Sequence, residues 1–180
     1  MSEFTNDSEN GKYILSLPAG KNYGIAVKSN GYLFHSENFD IPESAGFRAY
    51  EKIIYLKKIK KGESIVLRNI FFDLDKYSLK PESETELNRL INLLKQNPNI
   101  RIEISGHTDT RGSSKYNQIL SVLRSESVKT YIINRGISFK RIETIGMGEI
   151  HPLAENVAAD GSDNPTGRAA NRRVEIQIIK

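Results

Sequence analysis

The 180-residue chain contains no cysteine and no tryptophan, and only 6 of its residues are proline. The absence of cysteine excludes disulfide bonds, thiolate metal ligands and a thiol nucleophile. No apolar run approaches the roughly 20 residues that a membrane-spanning helix needs. The formal net charge is only +4, and no basic arm stands apart from the rest, so nucleic acid is not an expected partner. What remains is the composition of an ordinary folded protein, with 38% hydrophobic residues.

The most informative stretch of the sequence runs from Ile100 to Arg124. Its first half alternates isoleucine with polar residues, which predicts a strand with one buried face. The following letters, GHTDTRG, cannot continue a strand and are typical of a turn, so Asp109 is expected just past the strand's C-terminal end. Ser113 or Ser114 is then the candidate N-cap of an amphipathic helix.

The polar face of that helix indicates a binding site. Asn117, Ser121 and Arg124 follow the spacing i, i+4 and i+7, so they form one stripe. Arg124 offers a planar fork of donors that matches a carboxylate, and Asp109 offers acceptors that match an ammonium. Together they predict a receptor for a zwitterionic amino-acid head. The same two charges could instead pair with each other and tie the turn to the helix, and spacing alone leaves that alternative open.

Five short sequence blocks follow one another along the chain, namely IFFD, GHTDxxG, YNxxLSxxR, GMGE and NRRVE. In this order they resemble the C-terminal domain of outer membrane protein A, which is shared with peptidoglycan-associated lipoproteins and flagellar stator proteins. The resemblance covers about residues 62 to 180 and implies binding of peptidoglycan through the diaminopimelate of its stem peptide. It implies that Asp109 takes the ammonium and Arg124 the carboxylate, without metal or cofactor. The implied ligand-binding residues are Asp109, Arg124, Asn117, Thr108, Asp73 and Arg172.

The same resemblance implies a non-catalytic protein of the bacterial envelope. It would be periplasmic, associated with the outer membrane, and would anchor that membrane to the cell wall. The polar run after Met1 is typical of an internal fragment rather than of a signal peptide. Attachment to the outer membrane is therefore expected through parts of a longer protein.

The fold class predicted for residues 62–180 is α+β, in the order β-α-β-α-β-β, with a mixed sheet of about four strands under two principal helices. The first helix is expected to have Pro81 near its first turn and a capping box formed by Ser83 and Glu86. Alternation with Val174 places Arg172 on the inward face of the last strand, where it could meet a ligand carboxylate or cap a helix end. The polar segment 155–164 is expected to form a surface excursion whose role the sequence leaves open.

Residues 1–61 are predicted to form a small β-rich module and a linker. Apolar runs at 13–17, 23–28 and 50–58 are separated by turn signals and indicate strands. The segment from Gly11 to Tyr32 resembles the later half of carboxypeptidase-regulatory-like, or transthyretin-like, β-sandwich modules. That resemblance implies a spacer or a contact for a protein partner. The lysine-rich run at 57–61 is typical of a solvated linker.

An enzymatic alternative comes from the letters NIFFDLD, which also resemble the first motif of haloacid-dehalogenase-type phosphatases. In that hypothesis Asp73 is the nucleophile, Asp75 is the general acid, and both adjoin a magnesium ion. The glycine expected after the second aspartate is Lys76 in this chain, and no later strand ends in paired acids. The sequence therefore favours a binding protein over an enzyme. The expected ligand is peptidoglycan. A second alternative is a scaffold that binds protein partners and in which Asp109 and Arg124 form a structural pair.

Overall fold

The computed structural model describes residues 7, 11–46, 49–73 and 75–180. Its contacts divide the described chain into two compact units. The smaller unit comprises the described residues up to 24 together with those between 38 and 53, and the larger comprises 25–37 and 54–180. The domain boundary expected between residues 61 and 62 stays a prediction. The larger unit also includes residues 25–37, which precede that boundary in the chain.

A two-stranded sheet near the N-terminus is built from β1 (Lys21–Val27) and β2 (His35–Ile41). Of the three N-terminal strands predicted, only the one near Tyr23 is right. The segments 13–17 and 50–58 are not strands, and Lys58 makes only an isolated bridge to Tyr32. An apolar run becomes a strand only where a partner completes its hydrogen bonds, whereas β2 was missed because most of its residues are polar and only Phe39 and Ile41 favour a strand.

The larger unit contains a four-stranded sheet. Its strands are β3 (Ser64–Leu67), β4 (Ile102–His107), β5 (Ile142–Gly148) and β6 (Val174–Ile178), and their order in the sheet is β3-β6-β4-β5. Strand β6 is antiparallel to both β3 and β4, while β4 and β5 are parallel. The predicted mixed sheet of four strands is therefore confirmed.

Helices cover one face of this sheet. The two principal ones are α1 (Glu84–Gln96) and α2 (Ser114–Ile133), as predicted, and each follows a strand. A third, α3 (Pro165–Asn171), lies inside the region that the sequence indicated only as a long polar segment. Its start carries a signal that could have revealed it, because Asn164 is the N-cap, with Pro165 in the first turn. Short 3₁₀ turns at Pro81–Ser83 and Phe139–Arg141 complete the unit.

The core lies between the helices and the sheet. Alternate residues of β4 and β6 point towards the helices and are essentially inaccessible to solvent, namely Ile102, Ile104, Val174, Ile176 and Ile178. Leucines of α1 and the residues Val128 and Ile132 of α2 pack against them. Each fully buried aliphatic side chain of this kind contributes about 1.5–3 kcal/mol relative to exposure. Leu33 and Phe34 join the same cluster, which explains why residues 25–37 belong to the larger unit.

Two glycines bring α2 unusually close to the sheet. A Cβ atom on Gly106 of β4 would overlap the backbone carbonyl of Ser121, and one on Gly146 of β5 would overlap Val122. Any side chain at these positions would push the helix outward. The close approach therefore fixes the polar stripe of α2 against the C-terminal ends of β4 and β5.

The capping box predicted at the start of α1 is wrong. The side chain of Ser83 makes no cap hydrogen bond and instead accepts from the backbone N–H of Phe71 at 2.8 Å. Glu86 is fully buried and accepts hydrogen bonds from Ser36 and from Arg89, the latter at 2.9 Å. The local pattern was present, but long-range partners stabilise both side chains more than a cap would.

Candidate functional site

The site forms where β4 ends and the chain turns towards α2. The backbone N–H of His107 donates to Arg173 at 2.9 Å, and that of Thr108 donates to Gly148 at 2.8 Å. These bonds hold the turn against the neighbouring segments on both sides of β4. Thr108 and Asp109 are consequently buried although they lie in a turn.

Asp109 is held from several directions. Its Oδ1 accepts from the backbone N–H of Arg111 at 3.0 Å, an Asx-type turn that orients the carboxylate. Its Oδ2 accepts from a terminal nitrogen of Arg172 at 2.6 Å. A second guanidinium, that of Arg168, lies 3.8 Å from the same oxygen. The carboxylate is thus a fixed negative charge among arginines.

Arg124 of α2 is buried beside the segment 71–80. Its Nε donates to the carbonyl of Lys76 at 3.1 Å, and its guanidinium lies 4.9 Å from the ring centre of Phe72. Within the described part of the chain, its two terminal nitrogens have no hydrogen-bond partner. Burial and then the nearby charge of Arg172 lower the pKa of the Arg124 guanidinium, although an arginine so placed still stays charged at neutral pH.

The simple alternative in which Asp109 and Arg124 pair only with each other does not describe this arrangement. Among the residues that the structure describes, no Asp109–Arg124 ion pair is formed, and Asp109 pairs with Arg172 instead. Arg172 and Arg168 both approach Asp109, Arg168 also pairs with Asp163, and Arg124 is left with terminal nitrogens that suit an anionic group. We call the cluster of Thr108, Asp109, Arg124 and Arg172 the binding mouth.

Asn117 and Thr108 also belong to the predicted site, and they differ in whether their side chains already have hydrogen-bond partners. The side-chain amide of Asn117 donates to the backbone carbonyl of Asp109 at 3.2 Å and to the carboxylate of Glu149. It therefore holds the turn in place. The hydroxyl of Thr108 is buried and has no hydrogen-bond partner among the described residues.

Asp73 and Arg172 differ from their expected settings. Asp73 is half exposed and pairs with Lys76 at 3.5 Å and Lys80 at 3.6 Å, within its own segment. Arg172 does not share the inward face of β6, because the strand begins only at Val174. It follows α3 directly, is 44% exposed, and reaches Asp109 from there.

Sequence reasoning missed Arg168, Phe72 and Glu149 as parts of the site. Arg168 is buried and pairs with Asp163 as well as approaching Asp109. Glu149 braces the start of α2 by accepting from Ser114 at 2.7 Å and from Asn117. Phe72 and Glu149 lie within the blocks IFFD and GMGE that carry the family resemblance, but the roles of all three residues depend on distant contacts.

Among the described residues, no group of three or more histidine and acidic side chains is placed to hold a metal ion. In the same part of the chain, none of the helices has both the length and the apolar character needed to cross a membrane.

Comparison with known proteins gives matches to the same region. The model of the OmpA family matches residues 71–166. The photosystem I P700 chlorophyll a apoprotein A2 of Gloeobacter violaceus is 43% identical over 182 aligned residues, covering 91% of this chain and 21% of that protein. The peptidoglycan-binding protein ArfA of Mycobacterium tuberculosis is 40% identical over 109 residues, covering 61% of this chain and 32% of that protein.

A solved structure agrees with these sequence matches. The peptidoglycan-associated lipoprotein of Burkholderia pseudomallei superimposes with a TM-score of 0.50 and 28% identity, covering 61% of this chain and 86% of that one. The chain spans less than a third of the length of the two curated relatives named above. The family match, however, includes the turn after β4, helix α2 and the segment 71–80, and it ends before Arg172. The chain therefore belongs to the OmpA family.

Proposed function

We propose that the chain binds peptidoglycan without catalysis, holding the diaminopimelate of the stem peptide in the binding mouth. One observation carries this proposal: a buried carboxylate and a buried guanidinium with unpaired terminal nitrogens, among the described residues, lie at one end of the sheet. The side chain of diaminopimelate ends in an ammonium and a carboxylate, which complement Asp109 and Arg124. The peptidoglycan-binding relatives support the same conclusion.

Binding requires an exchange of partners at Asp109. Its Oδ2 is occupied by Arg172, so the ligand's ammonium has to replace that guanidinium. Because the side chain of Arg172 is 44% exposed, it can turn away without disturbing the core. It then meets the ligand's carboxylate together with Arg124, while the Arg111 N–H continues to orient Asp109.

The remaining predicted residues have supporting roles in this proposal. The free hydroxyl of Thr108 is a donor or acceptor for the ligand head. Asn117 acts as a positioning residue, because its amide already bonds the turn and Glu149. Asp73 contributes from the rim, on the segment whose Lys76 carbonyl Arg124 contacts.

In the cell, we propose that a protein containing this chain tethers the outer membrane to the cell wall from the periplasmic side. Residues 62–180 would form the binding domain, and residues 1–61 a spacer or a contact for a protein partner. The transthyretin-like character of that N-terminal segment stays a prediction.

The test is sedimentation of the whole 180-residue chain with insoluble peptidoglycan. We expect the chain to pellet with the polymer and to be released by free diaminopimelate. A stem peptide that carries lysine in place of diaminopimelate should release much less, because the lysine side chain ends in an ammonium alone and leaves Arg124 and Arg172 without a partner. A chain that stays in the supernatant would contradict the proposal, and equal release by the lysine peptide would remove Arg124 from its role.

A further inference from the structure

A groove of about 440 Å³ lies between the segment 77–79 and helix α2. On the helix side it is lined by residues 123, 126, 127, 130 and 131 of α2 and by its C-cap, Asn134, and on the other side by Tyr77 and Leu79. This spacing places the lining residues in a single stripe along the helix. We call it the Tyr77 groove.

Two residues that line the groove are direct chain neighbours of residues at the binding mouth. Leu123 at one end precedes Arg124 in the chain, and Tyr77 follows Lys76, whose carbonyl Arg124 contacts. From Leu123 to Asn134 the helix rises about 16 Å, at 1.5 Å per residue. A polymer held at Arg124 can therefore extend into this groove.

The lining combines apolar faces and neutral hydrogen-bonding groups with one carboxylate, that of Glu126. Tyr77 is 51% exposed and Leu123 is exposed as well, so both present apolar surface to solvent. Ser127, Thr130 and Asn134 offer hydroxyls and an amide. The hydroxyl of Tyr131 is buried and has no hydrogen-bond partner among the described residues.

The charged groups near the groove are already paired. Glu126 lies 3.6 Å from Lys129 and accepts from Thr144. The guanidinium of Arg135 lies 3.5 Å from the ring centre of Tyr131 and 3.8 Å from Glu84. A neutral ligand with an apolar face and many hydroxyls fits this lining better than a charged peptide does.

We propose that the Tyr77 groove binds the sugar chain of peptidoglycan, next to the stem peptide held in the binding mouth. This inference rests on the proposed function and adds the second chemical half of the same polymer. The exposed ring of Tyr77 would pack on the apolar face of a sugar, and the hydroxyls and amide of α2 would bond its hydroxyl and acetamido groups.

The experiment is calorimetric titration of the full chain with two soluble ligands. One is a stem peptide containing diaminopimelate, and the other is the same peptide joined to its disaccharide. We expect the disaccharide-bearing ligand to bind about tenfold more tightly. Tyr77→Ala should remove that difference and leave the affinity for the bare peptide unchanged.

Two further variants sharpen the result. Phe139→Ala removes an aromatic side chain that is similarly exposed, at 63%, but lies outside the groove, and it should keep the tenfold difference. Thr130→Arg should abolish the difference by filling the groove from an exposed helix position. Equal binding of both ligands by the unaltered chain would overturn the groove alone. Binding of neither ligand would overturn the stem-peptide site as well.

Discussion

Replacing Asp109 by asparagine tests the binding mouth with the smallest change in shape. The amide oxygen can still accept from the Arg111 N–H, so the turn should keep its conformation. The charge that meets the ligand's ammonium is lost. Asp109→Asn should therefore weaken binding of diaminopimelate far more than it weakens the fold.

The size of each effect follows from the partners of Asp109. Removing one member of a buried charge pair costs about 2–5 kcal/mol of binding energy. Because the ligand has to replace Arg172 at Oδ2, we expect the lower part of that range, about 2–3 kcal/mol, or roughly 30-fold to 150-fold in affinity. The lost ion pair with the partly exposed Arg172 should lower stability by about 1 kcal/mol, or about 2–4 °C in Tm.

The assay is calorimetric titration with free diaminopimelate, beside a thermal melt of each variant. Asp163→Asn is the matched control, because it removes the same charge from an exposed carboxylate that also pairs with Arg168. It should change affinity by less than about threefold, since it makes no direct contact with the ligand. Unchanged affinity in Asp109→Asn, or equal losses in both variants, would refute the reasoning.

Two other predictions concern the fold. Glu86→Ala should lower the free energy of unfolding by about 2–4 kcal/mol, because it leaves a cavity and removes the acceptor of Ser36 and Arg89. Urea unfolding checks this against Glu82→Ala, an exposed change expected to cost under about 0.5 kcal/mol, and equal midpoints would contradict it. Burial, and then the charge of Arg173, lowers the pKa of His107 from 6.5 to about 4. The unfolded chain binds this proton more readily, so stability should be complete above pH 6.5 and fall by up to about 3 kcal/mol as pH drops to 4. His107→Gln should flatten that part of the stability profile, and an unchanged profile would show that other groups cause it.

The positions of Asp109 and Arg124 could be predicted because local signals determine them. The side chain of Ser113 caps α2 by accepting from the Tyr116 N–H, as the sequence indicated. The alternating isoleucines placed the end of β4 to within two residues. Signals of this kind act over a few residues and need no knowledge of the fold.

The partners of Asp109 could not be predicted in the same way. Arg172 is 63 positions away in the chain, and its contact depends on β6 lying beside β4 rather than beside its neighbour in sequence, β5. The alternation of β6 was extended to Arg172, two residues before the strand begins at Val174, and so placed Arg172 on the wrong face. Sequence order does not reveal which strands become neighbours, so the ion pairs that cross between them stay hidden.

The start of α1 shows a different error, because a local pattern was present in the sequence but did not form its usual hydrogen bonds. Ser83 and Glu86 have the spacing of a capping box, yet both side chains are buried and bond to residues far away in sequence. A buried carboxylate must be satisfied inside the protein, whereas a helix end near the surface can use water. The need to satisfy the buried carboxylate of Glu86 therefore outweighs the gain from capping the helix, and it determines where these side chains lie.

The polar segment that precedes β6 gives the binding mouth its electrostatic character, although α2 and the turn after β4 determine where the mouth lies. Asp163, in the surface excursion, pairs with Arg168 and lies 3.4 Å from Arg111. Asn164 caps α3, which carries Arg168 and ends next to Arg172. Because both arginines approach Asp109, this segment sets how strongly the carboxylate is held before a ligand's ammonium can take it. A change in the length of this segment would therefore alter affinity while leaving the position of Asp109 and Arg124 intact, whereas the charge of the exposed Asp163 alone should have the small effect expected for the control variant.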